Sequence, residues 1–392
     1  MAMKRIFILG STGSIGINTL NVIERFPNKF KVVGLSAHNN CSLLISQIKK
    51  FNPKYIGIGY NGIDQVRQAV APKAKHIFDV AHDLTTYVTQ NDVDVVVIGL
   101  SGFAALKPFM ASVKAGKTVA PANKEALIVA GHILMRAAKK NKAFVIPIDS
   151  EQSAIFQCLE GRDPSQLQRV LLTASGGSLK DVAASEFDKL GVDEILRHPR
   201  WHMGRKITVD SATLMNKGFE VIEAQRLFNL KADQIEVVVH PQAIIHSMVE
   251  LKDTSIIAQL GVTDMRLPIQ YALSYPERWA SDLPRVDFFA LQSLIFERPD
   301  EKKFPCLNLA KEVARKGGTY PCALVAADEE AVAAFLEKKI ALSDIYRLNA
   351  KVIDQHRNIS SPSLTQIFSV HEWAVQTARD LIKSGKFNKQ YI

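Results

Sequence analysis

Apolar residues in the first 149 positions follow two alternating spacings. Short runs typical of buried strands occur at Arg5–Leu9, Lys31–Leu35, Tyr55–Ile58, Val93–Ile98, Thr118–Ala120 and Ala143–Ile148. Segments with helical spacing lie between them, at Ile15–Arg25, Ser42–Phe51, Phe103–Lys114 and Glu125–Lys140. This alternation predicts a parallel sheet covered by helices on both faces, so the expected fold class is α/β.

The spacing changes from about Asp149 onward. Strand-like runs follow at Val170–Thr173, Glu236–His240, His246–Glu250 and Ser255–Gln259, interrupted by a Gly-, Pro-, His- and Trp-rich stretch at 198–204. This predicts an α+β region with a long mobile loop, and such loops are commonly functional. Three prolines between Ser281 and Pro305 indicate a connecting segment. The chain after Leu307 is predicted to be helical, with a capping box at Ser363 and Gln366.

Composition excludes several classes of protein. The chain has 392 residues, of which 47% are hydrophobic and 22% charged, as expected for two or three folded domains rather than a disordered chain. The four cysteines form no C-x-x-C pair, so neither a zinc site nor a disulfide framework is predicted. The N-terminal apolar run is too short for a signal peptide, and no run is long enough to span a membrane. We expect a soluble protein of a reducing, cytosolic compartment.

The net charge of +10 comes from the first 149 residues, which hold 19 Lys and Arg against 8 Asp and Glu. This balance suggests an anionic partner. No run of Lys and Arg exceeds two residues, whereas a nucleic-acid arm would usually be a denser cluster. We therefore expect no nucleic-acid partner.

A glycine-rich loop, Gly10-Ser11-Thr12-Gly13-Ser14-Ile15-Gly16, follows the first predicted strand and opens a predicted helix. Glycines let the backbone approach a phosphate, and a helix N-terminus offers N–H groups to a pyrophosphate. Thr12 and Ser14 can add hydroxyl donors. An ordinary tight turn has the same spacing, but the strand–loop–helix setting favours a dinucleotide site.

The residues at the end of the second predicted strand indicate whether the cofactor is NAD or NADP. No Asp or Glu occurs between Arg25 and Ile63, so the acid that usually binds the ribose hydroxyls of NAD is missing. A 2′-phosphate would meet no repulsion at His38-Asn39-Asn40, although the usual Arg or Lys clamp is missing too. The sequence favours NADP(H).

Two carboxylates with metal-ligand spacing occur in Asp149-Ser150-Glu151, after the apolar run Ala143–Ile148. On an extended backbone residues i and i+2 point to the same face, so both could chelate one hard divalent cation. A solvated acidic turn explains the same spacing. Glu220 could complete a three-carboxylate site.

Two stretches rich in hydrogen-bond donors, Thr173–Gly177 and Asp210–Glu220, are typical of phosphate-binding segments. Lys217 and its neighbouring hydroxyl and amide groups could bind a phosphate. Surface turns or helix caps would also explain either stretch alone. Their occurrence beside the cofactor loop favours an oxidoreductase that acts on a phosphorylated substrate.

Several motifs occur together in this one chain. They are Gly10–Gly16, Ala122–Glu125, Asp149–Glu151, Ala174–Gly177, His198–Gly204, Val209–Gly218 with Glu220, His240–Gln242 and Phe304–Leu307. On these motifs the chain resembles, over essentially its whole length, the 1-deoxy-D-xylulose 5-phosphate reductoisomerase family. The resemblance implies an NADPH-dependent oxidoreductase acting on CH–OH donors, which makes 2-C-methyl-D-erythritol 4-phosphate in the non-mevalonate isoprenoid pathway.

The resemblance also implies a domain order. It comprises a Rossmann-like NADPH domain at 1–149, a catalytic domain at 150–280 with a mobile loop at 197–206, a connecting segment at 281–306 and a C-terminal helical domain at 307–392. It implies a homodimer with no membrane partner. The implied location is the cytoplasm or, for a mature chain, an organellar stroma or matrix.

The resemblance assigns site residues as well. Asp149, Glu151 and Glu220 would bind Mg²⁺, Mn²⁺ or Co²⁺. NADPH would contact Thr12, Gly13, Ser14, Ile15, His38, Asn39, Asn40, Asn123, Glu125 and Gly204. The sugar phosphate would contact Lys124, Ser150, Glu151, Ser175, His198, Trp201, Ser211, Asn216, Lys217 and Glu220. The implied catalytic residues are Lys124, Glu151 and His198, with the 198–204 stretch closing as a lid.

Two other functions stay open on the residues alone. A different NADP-dependent dehydrogenase would oxidise or reduce a semialdehyde or hydroxy acid without a metal. A redox-sensing protein would keep the nucleotide domain without catalysis, but it would not need Lys124, Lys217 and the three carboxylates together. Within the family comparison, Asn39 stands where a basic residue often meets the 2′-phosphate, which predicts a weaker preference for NADPH over NADH.

Overall fold

The computed structural model describes residues 3–70, 76–197 and 204–387. Contacts divide the chain into two compact units. The first consists of Met1–Ala126, His132–Ser153 and Asp264–Leu283, and the second of Leu127–Gly131, Ala154–Thr263 and Pro284–Ile392. The domain boundaries expected after residues 149, 280 and 306 stay predictions.

The strands and helices predicted from the apolar spacing are present, apart from the strand at 143–148, and the structure adds elements that were not predicted, among them the strand His76–Asp79 and the helix Ile63–Ala69. The strands are β1 (Lys4–Leu9), β2 (Phe30–Ser36), β3 (Tyr55–Ile58), β4 (His76–Asp79), β5 (Val95–Ile98), β6 (Thr118–Pro121), β7 (Leu167–Ala174), β8 (Ile235–Val239), β9 (Ile245–Leu251) and β10 (Ile256–Leu260). The α-helices are α1 (Ser14–Arg25), α2 (Cys41–Phe51), α3 (Ile63–Ala69), α4 (Leu84–Val88), α5 (Leu106–Lys114), α6 (Lys124–Lys140), α7 (Ser150–Leu159), α8 (Val192–Ile195), α9 (Arg205–Ala212), α10 (Met215–Phe228), α11 (Arg266–Ser274), α12 (Phe288–Leu291), α13 (Pro305–Lys316), α14 (Tyr320–Leu336), α15 (Leu342–Gln355) and α16 (Leu364–Ser384). Short 3₁₀ turns cover Tyr60–Gly62, Phe103–Ala105, Pro164–Gln166, Ala184–Lys189 and Ala232–Gln234.

The first unit contains a six-stranded sheet in the order β4-β3-β2-β1-β5-β6, with every neighbouring pair parallel. All four residues of β5 are apolar and buried, as expected for a central strand covered on both faces. The direction of strand order reverses at β1, so the carboxyl ends of β1 and β5 form the crevice where nucleotides bind in such sheets. The predicted parallel sheet is confirmed.

The predicted strand Ala143–Ile148 is wrong. This run is extended beside β6, but it forms only an isolated bridge, between Val119 and Val145. The N–H of Ile146 donates to the carbonyl oxygen of Val119 at 2.9 Å. Pro121 has no N–H with which to continue the alternating parallel ladder, so no strand forms.

A late segment of the chain belongs to the first unit. Residues 264–283 carry α11, and the Nζ of Lys4 donates to the carbonyl oxygens of Leu273 and Tyr275 at its end, at 2.8 and 3.1 Å. The indole of Trp279 packs against Phe26 and Phe30, with ring centroids 4.9 and 5.2 Å apart. The unit that contains the six-stranded sheet is therefore completed by residues that follow β10.

The second unit contains a four-stranded mixed sheet in the order β10-β9-β7-β8. β7 pairs parallel with β8 and antiparallel with β9, and β9 pairs antiparallel with β10. Leu171, Ile245 and Met248 of this sheet form a small hydrophobic core. Leu294 of the connecting segment packs against it. The predicted strands of this region are confirmed.

The C-terminal helices pack around α14. Most of α14 is buried, and it contacts α9, α13, α15 and α16. α10 and α13 approach so closely that a Cβ on Gly218 would lie 2.3 Å from the Cβ of Ala310. The predicted capping box is confirmed, since Ser363 Oγ accepts from the Gln366 N–H and Gln366 Oε1 accepts from the Ser363 N–H. In the described ranges, every helix is too short or too polar to cross a bilayer.

Candidate active site

The glycine loop lies at the carboxyl end of β1. Gly10 has a φ of +77°, and a Cβ there would lie 2.7 Å from the carbonyl oxygen of Gly99, which follows β5. A Cβ on Gly16 would lie 2.3 Å from the Cα of Ser11. Gly13 is the N-cap of α1, and no side chain caps this helix. The loop is therefore a backbone cradle that leads into an uncapped helix N-terminus, which suits a pyrophosphate.

The four loop residues predicted to contact NADPH lie on the open side of this cradle. Gly13 and Ser14 are exposed, and Thr12 and Ile15 are half-buried. Ser11 turns inward instead, because its Oγ donates to Gln47 Oε1 at 2.8 Å and its carbonyl oxygen accepts from Gln47 Nε2 at the same distance. The loop is thus tied to α2 on its inner side while its outer side stays accessible.

Asn123 is a buried residue that holds the crevice together. Its Oδ1 accepts from the Ala126 N–H at 2.8 Å and caps α6, while its Nδ2 donates to the carbonyl oxygens of Leu100 and Gly102 at 2.9 and 3.0 Å. Nδ2 also donates to Glu125 Oε2 at 2.9 Å. The side chain therefore holds the loop after β5, and the contact of Asn123 with NADPH stays a prediction.

The segment predicted to meet the 2′-phosphate follows β2. His38, Asn39 and Asn40 are all exposed. Asn40 is the N-cap of α2, since its Oδ1 accepts from the Leu43 N–H at 3.1 Å. Of the two asparagines, Asn39 is therefore the one whose side chain does not cap a helix.

Lys124 and Asp149 form a buried ion pair in the first unit. The Nζ of Lys124 lies 2.7 Å from Asp149 Oδ2, and about 90% of each side chain is removed from solvent. Lys124 begins α6, and Asp149 immediately precedes α7. Ser150 Oγ donates to Glu151 Oε2 within the first turn of α7. The two carboxylates are presented by a helix start and not by the extended backbone that the sequence suggests.

Glu220 lies in α10 of the second unit and is 1% exposed. It accepts from the Nζ of Lys217, one turn earlier, and from Asn216 Nδ2. α10 follows Leu214, whose φ of +58° turns the chain sharply out of α9. A lysine, an amide and a carboxylate predicted for phosphate and metal binding are thereby brought together on one helical turn.

The other two predicted phosphate ligands, Ser175 and Ser211, lie in adjoining segments of the second unit. Gly177 has a φ of +71°, and a Cβ there would lie 2.4 Å from the carbonyl oxygen of Ser211. The loop that carries Ser175 therefore rests on the last turn of α9. Ser175 and Ser211 are both half-buried, and the Gly177 N–H donates to Ser175 Oγ at 3.4 Å.

The carboxylates predicted to bind one divalent metal ion, called the acidic triad below, are Asp149 and Glu151 in the first unit and Glu220 in the second. Carboxylate oxygens are the ligands that Mg²⁺ and Mn²⁺ prefer. The lysine beside Asp149 and the lysine beside Glu220 balance charge that would otherwise be costly to bury. The residues present therefore fit the metal that the sequence predicts.

Part of the predicted site lies outside the described residues, namely His198, Trp201 and most of the predicted lid at 197–206. Gly204, predicted to contact NADPH, is exposed and is the N-cap of α9. Its carbonyl oxygen accepts from the N–H and the Oγ1 of Thr208, at 3.1 and 2.9 Å.

The cysteines are not candidates for the chemistry. All four are buried free thiols. Burial raises the pKa of Cys158 to about 11 and that of Cys322 to about 12, and it raises the pKa of Cys306 further. A thiol that stays protonated at neutral pH is a poor nucleophile, so Cys158, Cys306 and Cys322 serve packing.

Sequence reasoning missed two features. The loop Gly99–Gly102 forms the second wall of the crevice, and its position after an all-apolar strand was the available signal. Lys206 forms ion pairs with Asp210 and Asp328, and only its i, i+4 spacing to Asp210 was visible in the sequence.

A parallel sheet with a crevice of the nucleotide-binding type in the first unit, and lysine-paired carboxylates in both units, are the features expected of a nicotinamide-dependent oxidoreductase that uses a divalent metal ion. Comparison with known families makes the class specific. The profile "1-deoxy-D-xylulose 5-phosphate reductoisomerase" matches residues 6–131, its C-terminal domain matches 145–228, and the "DXP reductoisomerase C-terminal domain" matches 260–377. The chain belongs to the 1-deoxy-D-xylulose 5-phosphate reductoisomerase family.

Individual relatives match over nearly their full lengths. The 1-deoxy-D-xylulose 5-phosphate reductoisomerase of Pelotomaculum thermopropionicum is 45% identical over 97% of this chain and 100% of its own length. That of Chloroherpeton thalassium is 48% identical over 94% of this chain and 95% of its own.

Solved structures agree with the sequence relatives. A DOX-P reductoisomerase crystallised with NADPH, fosmidomycin and magnesium superposes with a TM-score of 0.94 at 38% identity, over 98% of this chain and 99% of that one. The Zymomonas mobilis enzyme in complex with NADPH gives 0.91 at 37% identity, over 97% of this chain and 100% of that one.

The last two glycines of the loop, Gly13 and Gly16, should respond differently to alanine. Gly16→Ala places a methyl group against the Ser11 backbone, so we expect a lower melting temperature and at least about tenfold weaker NADPH binding, equivalent to about 1.4 kcal/mol. Gly13→Ala meets its nearest atom at 3.4 Å and leaves the fold intact, so any loss of NADPH affinity there reports contact with the cofactor. Fluorescence titration and thermal unfolding measure both. Wild-type NADPH affinity in both variants would contradict the assignment of the loop.

Proposed function

We propose that this chain converts 1-deoxy-D-xylulose 5-phosphate to 2-C-methyl-D-erythritol 4-phosphate, with NADPH and one divalent metal ion, in isoprenoid precursor synthesis. The observation that carries this proposal is the pairing of buried carboxylates of the triad with lysines, Asp149 with Lys124 and Glu220 with Lys217. A dehydrogenase that transfers hydride alone needs the nucleotide loop but not these pairs. Membership of the reductoisomerase family supplies the substrate.

The acidic triad holds the metal in this proposal. Asp149, Glu151 and Glu220 bind it through carboxylate oxygens, and Mg²⁺, Mn²⁺ or Co²⁺ suits such ligands. When bound, the metal supplies Lewis-acid stabilisation of negative charge on the carbonyl and hydroxyl oxygens of the substrate. Ser150, whose hydroxyl donates to Glu151, orients that ligand.

Lys124 faces the reacting end of the substrate. Its ammonium lies 2.7 Å from Asp149, which holds a hydrogen-bond donor in place to act on a substrate hydroxyl. Lys124 and Glu151 hold and move the hydroxyl proton while a carbon–carbon bond of the substrate breaks and another forms. The product of this rearrangement is an aldehyde phosphate, to which NADPH delivers a hydride and to which a proton is then added at oxygen.

The substrate phosphate is bound in the second unit. Lys217 supplies the positive charge, and Ser175, Ser211 and Asn216 supply neutral donors. We assign His198 and Trp201 to closure over the bound substrate, as the family resemblance implies. Energy from phosphate binding, remote from the reacting carbons, can drive such closure.

NADPH lies along the carboxyl ends of β1 and β5. Its pyrophosphate rests on Thr12, Gly13, Ser14 and Ile15, and its 2′-phosphate lies near the exposed segment His38–Asn40. Asn123, Glu125 and Gly204 complete the predicted contacts, and the side chain of Asn123 also holds the loop after β5. Neutral donors and a single exposed histidine make the preference for NADPH over NADH modest.

The protein forms a homodimer in this proposal. Its support is a set of exposed large apolar side chains in the second unit, on β10 and on the connecting segment. They are Ile256, Phe288, Phe289, Ile295 and Phe296. Phe289 is 96% exposed, and clusters of this kind usually mark protein interfaces. A second copy covers them, consistent with the family resemblance.

We assign the protein to the cytoplasm. The support is that all four cysteines are free thiols in the folded chain, as is usual in a reducing compartment.

Manganese is an alternative to magnesium as the bound metal ion, because a ligand set made of carboxylates alone does not discriminate between the two ions.

The dimer proposal predicts that Phe289→Asp shifts the protein from dimer to monomer at micromolar concentration, because a charge would be buried in an apolar contact. Sedimentation velocity measures the shift. Phe144→Asp is the matched control, since Phe144 is 62% exposed but lies in the first unit, and it should stay dimeric. A wild-type monomer, or a Phe289→Asp dimer of unchanged affinity, would overturn the proposal.

The activity is tested by following NADPH oxidation at 340 nm with 1-deoxy-D-xylulose 5-phosphate, with and without a metal chelator. We expect oxidation that needs both the sugar phosphate and the metal and that returns when Mg²⁺ or Mn²⁺ is restored. Oxidation that persists at full rate with the metal removed would favour a metal-independent dehydrogenase. Absence of turnover in the presence of metal would refute the proposed reaction.

A further inference from the structure

Lys206 lies where three helices of the second unit meet. Its Nζ is 2.5 Å from Asp210 Oδ2 in its own helix α9 and 2.9 Å from Asp328 Oδ2 in α14. The same ammonium lies 4.8 Å from the ring centroid of Phe219 in α10. One side chain thus joins α9 to its two neighbours.

Lys206 and Asp210 occupy positions in α9 that are unfavourable for the stability of the helix. Lys206 is in the first turn, where the helix dipole disfavours a cation, and Asp210 is in the last turn, where it disfavours an anion. An i, i+4 ion pair also stabilises a helix less when the lysine precedes the acid than when it follows it. Both positions are opposite to what helix stability selects, so contact with another element explains them better.

Asp328 is that contact. Its side chain has no exposed surface, and its second oxygen, Oδ1, accepts from Asn349 Nδ2 in α15 at 3.0 Å. A carboxylate this deeply buried requires a cation and hydrogen-bond donors. The carboxylate therefore holds Lys206 in one place relative to α14 and α15.

α9 in turn supports the predicted phosphate ligands. Ser211 lies in its last turn, and the loop with Ser175 rests on the Ser211 carbonyl through Gly177. The chain then turns at Leu214 into the α10 turn that carries Lys217. A small rotation of α9 would displace donors on both sides of the phosphate at once.

We infer that Asp328 is a positioning residue for the substrate phosphate: through Lys206 it fixes α9 against α14, and α9 sets the geometry of Ser175 and Ser211. This inference rests on the proposed function. Asp328 touches neither substrate nor cofactor, so its loss weakens binding of the sugar phosphate and leaves binding of NADPH unchanged.

The test compares two substitutions at this position. Asp328→Leu removes both the charge and the acceptor, and we expect KM for 1-deoxy-D-xylulose 5-phosphate to rise at least tenfold, with kcat within threefold of wild type and Kd for NADPH unchanged. Asp328→Asn keeps an acceptor oxygen for Lys206 and should hold KM within threefold of wild type. If Asp328→Leu does not fold, Lys206→Met removes the same ion pair from its other end and should raise KM equally.

Val332→Ala is the matched control. Val332 lies in the same helix and is 1% exposed, so the substitution lowers stability by opening a cavity without touching Lys206. We expect a lower melting temperature with an unchanged KM. A KM that rises in Val332→Ala as much as in Asp328→Leu, or that stays at the wild-type value in Asp328→Leu and Lys206→Met, would overturn the inference. If the wild-type protein shows no turnover of 1-deoxy-D-xylulose 5-phosphate, the proposed function is refuted, and this inference fails with it.

Discussion

Buried carboxylates need positive partners, and this requirement organises the chemistry of both units. An unpaired carboxylate in a protein interior costs several kcal/mol or takes up a proton. The chain satisfies the requirement with lysines in three places, where Lys124 faces Asp149, Lys217 faces Glu220, and Lys206 faces Asp210 and Asp328. Each lysine offsets the cost of burying a carboxylate, and carboxylate oxygens are the ligands that a hard divalent metal ion prefers.

The three lysines share a second property, because each lies in the first turn of its helix, α6, α9 or α10. The helix dipole disfavours a cation there by about 0.3–1 kcal/mol, and the neighbouring carboxylate offsets that cost. A lysine at a helix start also creates a strongly anion-attracting point. For Lys217 the expected anion is the substrate phosphate, and for Lys124 it is the oxyanion that forms during rearrangement. Lys206 pairs with two carboxylates, and its inferred role is to position α9.

The sequence predicted the fold well where apolar spacing alone decides it. The all-apolar β5 and the capping box at Ser363 were both readable from local pattern. The strand predicted at 143–148 failed because Pro121, a residue of the neighbouring strand, lacks the N–H that the ladder needs. Such a failure depends on which strands become neighbours, and no local pattern contains that information.

The site was predictable in its residue types and not in its geometry. Asp149 and Glu151 were found by spacing, although the structure presents them at the start of a helix. Asn123 is predicted to contact the cofactor, and the structure adds that its side chain holds the loop after β5, which the sequence did not indicate. Asp328 lies more than 100 positions from its lysine, so only tertiary packing reveals the pair. The family resemblance supplied the roles that spacing could not.

Calorimetric titration with Mn²⁺ tests most directly the proposal that Asp149, Glu151 and Glu220 bind one divalent metal ion. The account predicts one Mn²⁺ per wild-type chain and at least about tenfold weaker binding, about 1.4 kcal/mol, in Glu220→Gln, which keeps the shape of the side chain but removes its charge. Glu312→Gln, an exposed control on α13, should bind as the wild type does. Equal stoichiometry and affinity in wild type and Glu220→Gln would contradict the account.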